Sequence, residues 1–193
     1  MRRLIQGFIP PGSELTRSGA NPGDWVYVTG TLGDAGAGLD ILQNTLEVKG
    51  EARDVLINRH YFPTPRVAVG TALRRIATSC IDISDGLLAD LNNIIIASKC
   101  GAKIYTENIP FTNKTKKLLS LNKIDINYLL TCGEDYQLIF TAKISDSKKI
   151  ISMAKENFVK ITKIGNITKK KKLVVINKNN DELSFKHLGF KHF

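Results

Sequence analysis

Three small polar residues crowd into four positions of the stretch IDISDGLLADL, residues 81–91: Asp82, Ser84 and Asp85. They stand where an apolar strand-like run gives way to an apolar helix. A carboxylate at the carboxyl end of a strand projects from the edge where ligands of α/β layers bind. The start of the following helix offers free N–H groups and the positive end of a dipole, both suited to a phosphate. Asp82 and Asp85 are oxygen ligands of the kind Mg²⁺ takes while keeping several waters. Ser84 can donate a hydrogen bond to a phosphate oxygen. A plainer reading makes Ser84 or Asp85 a cap for the helix. A cap leaves Asp82 unexplained, because a carboxylate between two isoleucines expected to be buried is costly unless paired or metal-bound. The stretch alone leaves both readings open.

A second acidic cluster has the same form. In CGEDYQLIF, residues 132–140, Gly133, Glu134 and Asp135 precede an apolar strand. By itself this is a turn carrying acidic residues. Arg17, in LTRSG, reads as a surface arginine in a polar connection. His60, His187 and His192 have no cysteine or second histidine at metal-ligand spacing, which argues against a zinc site. Cys80, Cys100 and Cys132 are odd in number and far apart, so reduced structural thiols are expected.

The elements that must position these residues follow from periodicity. Residues 23–31 alternate as a strand, and the small-residue run 32–44 follows as a helix. Helices are expected at 51–62, ended by Pro63 and Pro65, and at 66–77. Strand 80–84 leads into helix 86–100, where Leu87, Leu91, Ile94 and Ile95 form one apolar stripe. Then come a strand at 102–110, one or two short helices within 114–131, a strand at 135–144 and a helix at 146–158. Two strands, 159–168 and 172–179, close the pattern. The expected fold class is α+β, a layered mixed sheet covered by helices. LIQGFIP, residues 4–10, reads as the end of a strand cut off from its partners. Residues 1–22 are therefore expected to be a remnant strand and connection from a missing amino-terminal domain, and 23–193 one carboxy-terminal domain.

Apolar residues make up 42% of the 193, enough for a core, and no apolar run approaches the ~20 residues that span a bilayer. No secretory signal is present, so a cytoplasmic protein is expected. The net charge of +10 lies wholly in residues 101–193, which hold eighteen lysines, no arginine and eight acidic groups. Nucleic-acid readers usually mix in arginine and interleave aromatics. The KKKK at 169–172 is therefore read as a solvated turn, and nucleic-acid binding as the lesser reading.

Together the segments GFIPPGSELTRSGANPGDWVYVTGTLGDAGAGL, RHYFPTPRV, IDISDGLLADL, CGEDYQLIF and GFKHF resemble the thiamine-monophosphate kinase family, in the family's order and across the whole chain. The SDG piece is shared with the wider superfamily of ATP-dependent enzymes that includes aminoimidazole-ribonucleotide synthetase and selenophosphate synthetase. The fold implied is that superfamily's carboxy-terminal domain. The resemblance implies phosphorylation of thiamine monophosphate by ATP, giving thiamine diphosphate and ADP, by direct Mg²⁺-assisted in-line transfer with no residue acting as covalent catalyst. It implies Asp82 and Asp85 as Mg²⁺ ligands, Arg17 and Ser84 as ATP contacts, and Glu134 and His187 as substrate contacts. His187 stands where the family places an aromatic. The family also has an amino-terminal domain, with a Gly-Asp-Asp motif, further metal-binding aspartates and most of a homodimer contact, which this sequence does not contain. The chain alone is accordingly expected to be inactive. The alternatives are another ATP-dependent enzyme of the superfamily and a non-catalytic basic module that binds nucleic acid.

Overall fold

The computed structural model describes residues 7–189. Alternation in the first strand, β1 (Trp25–Thr29), sets the layering. Val26 and Val28, both fully buried, face one side of the sheet. Tyr27 faces the other and stacks on Phe140 with ring centroids 5.2 Å apart. The small-residue run that follows forms α1 (Asp34–Leu42), and α2 (Glu51–Tyr61) packs on it. α3 (Val67–Leu73) leads to β2 (Ala77–Ile83), and β2 to α4 (Leu87–Ser98). β3 (Gly101–Tyr105), α5 (Asn113–Ser120), α6 (Ile126–Thr131) and β4 (Gln137–Ala142) come next. α7 (Ser147–Glu156), β5 (Ile161–Thr168) and β6 (Leu173–Ile176) complete the described elements.

The six strands form one mixed sheet in the order β2-β4-β1-β5-β3-β6. Every pairing is antiparallel except that of β3 with β6. One face carries the larger core. There the stripe of Leu87, Leu91, Ile94 and Ile95 from α4 packs on Val26, Val28, Ile83, Ile139, Ile104 and Ile164. On the other face α3 and α7 cover Tyr27, Phe140 and Ala142 through Val69, Leu73, Ile150 and Met153. α1, α2 and α5 enclose a third, smaller cluster around Ala37, Ile41, Leu56 and Leu118.

The expected α+β architecture is the one observed, with boundaries moved. Helix 66–77 stops at Leu73, and Arg75 reverses the chain at φ 67°. The strand then begins at Ala77 rather than Cys80, because β4 pairs with it from Ala142 back to Gln137, with one shift of register between Ala77 and Ser79. The strand expected over 102–110 ends at Tyr105, and a 3-10 turn, Thr106–Asn108, replaces its second half. The KKKK segment is a solvated turn between β5 and β6, all four lysines exposed. It crosses the start of β3, where the Ala102 N–H donates to the Lys172 carbonyl at 3.1 Å. Gly101 is required at the crossing, since a side chain there would collide with the backbone of Lys170 and Lys172.

All three cysteines are buried and unpaired, as expected of structural thiols. Among the described residues no helix is long and apolar enough to cross a membrane. Of the strand remnant expected in LIQGFIP, Leu4–Gln6 lie outside the described residues, and the rest, Gly7–Pro10, is exposed and not in a strand. Residues 16–20, by contrast, are tied down. The Cys80 N–H donates to the Thr16 carbonyl at 2.8 Å, and the Ala20 N–H to Ser98 Oγ at 3.1 Å. The connection thus runs along the β2 edge of the sheet.

Two glycines test this packing. At Gly38, in α1, a methyl would strike the Leu56 carbonyl of α2. At Gly70, in α3, the nearest atom would be Leu138 Cδ1 at an ordinary 3.7 Å. Gly38→Ala is expected to destabilise the chain by about 1–3 kcal/mol, as overpacking does. Gly70→Ala is expected to stabilise it by roughly 0.5–1 kcal/mol through lost backbone freedom in the unfolded state. Urea denaturation of the two variants checks both signs.

Candidate functional site

β2 and β4 pair in register up to Ile83 and Gln137. Beyond that point the chain leaves the sheet in two loops, 84–86 and 133–136, and the hydrogen bonding continues between them. The Tyr136 N–H donates to the Ile83 carbonyl and the Glu134 N–H to the Ser84 carbonyl, both at 2.9 Å. Both loops need glycine. A side chain on Gly133 would collide with the Ser84 carbonyl, and one on Gly86 with the Thr131 carbonyl. The two acidic motifs, about fifty positions apart in sequence, become one structure.

A hollow of about 550 Å³ opens on the 84–86 loop. Asp82, Ser84 and Asp85 line it, together with Arg17, Asp90 and Asn93. Arg17 is the one cation among these lining residues, brought there by the backbone tie at Thr16. Asp82 corrects an expectation. It is exposed, not buried, because strand alternation turns it to the face opposite the fully buried Ile83. Its carboxylate therefore needs no partner to offset desolvation.

The capping reading is also corrected. The N-cap of α4 is Gly86, at φ 120°, rather than Ser84 or Asp85, and glycine has no side chain to cap with. The N–H groups of Ser84 and Asp85 are not free for a phosphate. They donate to Asp90 Oδ2 at 3.0 and 3.1 Å. Asp90 is almost fully buried, and burial pushes its carboxyl up to about 6 against the lowering effect of those two N–H groups. The repulsion of Asp85 and Asp82 adds to the rise. Sequence reading missed Asp90, and the signal was present: it is a charged residue set into the apolar stripe between Leu87 and Leu91.

The donor set fits Mg²⁺ in kind: two carboxylates and a hydroxyl, hard oxygens reachable from solvent. Among the described residues no group of three or more His, Cys, Asp or Glu side chains could hold a metal ion. A Mg²⁺ here would take Asp82 and Asp85 from this chain and its other oxygens from water or ligand. Cys80 also lines the hollow, but burial, and then the charge of Asp82, push its thiol up to about 12. It is no thiolate nucleophile at neutral pH.

A second, mostly apolar hollow of about 430 Å³ lies on the other side of Ser84, which lines both. Glu134 and His187 line it with Asp40, His60 and Tyr128, over the small residues Ala35 and Gly36 of α1. The structure thus brings Glu134 and His187 to one hollow and Asp82 and Asp85 to the other, with Ser84 lining both. Of the terminal motif GFKHF only Gly189 is among the described residues. Glu134 has φ 71° and Tyr136 φ 47°. Such conformations cost a non-glycine residue about 1–3 kcal/mol and persist only where surroundings over-determine them. Here the ladder extension does so, and Asp135 between them does too. Asp135 is buried and its carboxylate accepts the N–H of Gly33 at 2.7 Å and of Ala35 at 3.4 Å. It thereby caps α1 from across the fold, favourably placed at the positive end of the helix dipole.

Residues 21–178 match the family described as AIR synthase related protein, C-terminal domain, and the chain belongs to that family. Within this class it is a homologue of the thiamine-monophosphate kinases. It is 51% identical to the Escherichia coli K12 thiamine-monophosphate kinase over 138 residues, 71% of this chain and 42% of that protein. It is 42% identical to that of Buchnera aphidicola subsp. Schizaphis graminum over 193 residues, 98% of this chain and 58% of that protein. The chain thus spans about half the length of these curated relatives. The thiamine-monophosphate kinase structure from Stenotrophomonas maltophilia superposes with a TM-score of 0.79 at 32% identity, over 86% of this chain and 54% of that one. The AaThiL structure, complexed with AMPPCP and TMP, gives 0.75 at 34% identity, over 93% and 54%. HypE of E. coli shares the fold at 19% identity and a TM-score of 0.77.

Asp135 yields a pH test. Burial raises its carboxyl from 3.8 to about 7, against the lowering effect of the Gly33 and Ala35 N–H groups. A raised carboxyl binds its proton more tightly folded than unfolded. Its contribution to stability is complete below about 4 and is lost as pH rises through about 7. The chain is expected to melt at lower temperature at pH 8 than at pH 5.5. Asp135→Asn, which keeps an acceptor for Gly33, should flatten that dependence.

Proposed function

We propose that this chain carries half of the active site of a thiamine-monophosphate kinase. The observation that carries the reading is Ser84, which lies on the boundary of both hollows. The hollow with Asp82, Asp85 and Arg17 takes the phosphate chain of ATP. The hollow with Glu134 and His187 takes the organic part of thiamine monophosphate. The acceptor phosphate then meets the nucleotide's terminal phosphate at Ser84. The homology to the kinases, and the AMPPCP and TMP held by the AaThiL relative, support the assignment.

The chemistry asks for positioning and charge cancellation more than for a nucleophile on the protein. The bond from the terminal phosphorus of ATP to its leaving oxygen breaks, and one to a phosphate oxygen of thiamine monophosphate forms. ADP and thiamine diphosphate result. Asp82 and Asp85 would hold Mg²⁺, which when bound would offset the charge of the phosphates and of the transferring group. Arg17 supplies a fixed positive charge at the nucleotide. Ser84 donates its hydroxyl to a phosphate oxygen. Glu134 faces the cationic thiazolium and the aminopyrimidine, where a carboxylate is a natural partner. The imidazole of His187 stacks where the family has an aromatic ring. Further metal ligands and the dimer contact come from the family's amino-terminal half.

Three outcomes test this. Asp82→Asn and Asp85→Asn should each weaken Mg-AMPPCP binding, measured by calorimetry, by at least about tenfold, a loss that even outer partners of a metal produce. Unchanged affinity in both would remove the metal role. When the chain is assembled with the amino-terminal half of a kinase relative, Glu134→Gln should raise KM for thiamine monophosphate by about tenfold or more. That is the loss of a charge-assisted contact of ~1.5–3 kcal/mol. KM for ATP should hardly move, and a change in the ATP constant alone would place Glu134 in the nucleotide site. By itself the 193-residue chain, which spans about half the length of the kinases it matches, is expected to form no measurable thiamine diphosphate from ATP and thiamine monophosphate, since transfer needs charge-stabilising groups on both sides of the phosphates. Family-like turnover by the purified chain would refute the half-site reading.

A further inference from the structure

Asp90 lies one turn inside α4, on the stripe that α4 buries, and is 1% exposed. Helix formation does not ask for a carboxylate there. The Asp90 N–H is already bonded to the Gly86 carbonyl at 3.0 Å. A cap serves the first amides of a helix. Asp90 instead reaches back past the N-cap Gly86 and takes the two amides before it, those of Ser84 and Asp85, on the single oxygen Oδ2. Successive N–H groups converging on one point form an anion nest. This nest is filled by the protein's own side chain, so its effect is to fix the loop that bears Ser84 and Asp85. The placement is electrostatically poor, since Asp82 and Asp85 line the same hollow. A neutral acceptor would serve the amides with less repulsion.

We propose that Asp90 is a positioning residue for the nucleotide site, holding the Ser84–Asp85 turn so that the hydroxyl and the carboxylate face the hollow beside Asp82. This rests on the assignment of that hollow to Mg-ATP. It adds that site geometry is set by a buried acceptor in the wall of that hollow, whose Oδ2 is engaged by the two loop amides.

The test uses Asp90→Ala and Asp90→Asn in the 193-residue chain. It reads amide hydrogen exchange at Ser84 and Asp85, melting temperature, and calorimetric affinity for Mg-AMPPCP and for thiamine monophosphate. In Asp90→Ala both amides should exchange at least about tenfold faster, and Mg-AMPPCP affinity should fall by about tenfold or more, the range seen when outer partners of a metal site are lost. Thiamine monophosphate affinity should stay within about twofold. Asp90→Asn keeps an acceptor oxygen and should recover most of both losses. Wild-type affinity in Asp90→Ala overturns the proposal. Equal loss in both variants, with the two amides still protected, also overturns it, because Asp90 would then ligate the metal itself. A parallel fall of melting temperature and both affinities reduces Asp90 to general structure. Failure of the wild-type chain to bind Mg-AMPPCP defeats the Mg-ATP assignment instead, and the proposal with it.

Discussion

The β2–β4 ladder does not stop where its strands stop. Two further peptide hydrogen bonds, Tyr136 to Ile83 and Glu134 to Ser84, carry it into the loops at the strand ends. These bonds decide which side chains meet. They set two acidic segments edge to edge, leaving no room for a side chain on Gly86 or Gly133. They also absorb the cost of left-handed backbone at Glu134 and Tyr136. The two hollows can be neighbours because one ladder runs between them.

Around that ladder, buried carboxylates are held by N–H and O–H donors rather than by cations. Asp90 takes two loop amides, and Asp135 takes two amides at the start of α1. Asp34 accepts from the hydroxyls of Thr31, Thr112 and Thr115. Such groups satisfy the rule that buried charge must be hydrogen-bonded, while leaving their negative field largely uncancelled. Whatever charge these carboxyls carry acts on the hollows beside them.

The carboxyls of Asp90 and Asp135 are raised by burial to about 6 and about 7. Both groups belong to segments that shape the hollows, Asp90 within the buried stripe of α4 and Asp135 in the loop before β4.

Much of the architecture was legible in the sequence. Alternation in residues 23–31, the apolar stripe of α4 and the proline stop after α2 each act locally, so they mark their elements without help from the rest of the chain. The SDG and GED motifs were legible too, because residue types at short spacing are a local property. What needed the tertiary structure was every relation between distant segments. The exposure of Asp82 depended on the hollow that folding leaves at the end of β2. The start of β2 at Ala77 depended on the ladder β4 offers. The roles of Asp90 and Asp135 depended on amides that only folding brings within 3.5 Å. Residue identity determined what chemistry the chain can do. Long-range backbone pairing, which no local pattern encodes, decided that Ser84 stands between the two hollows.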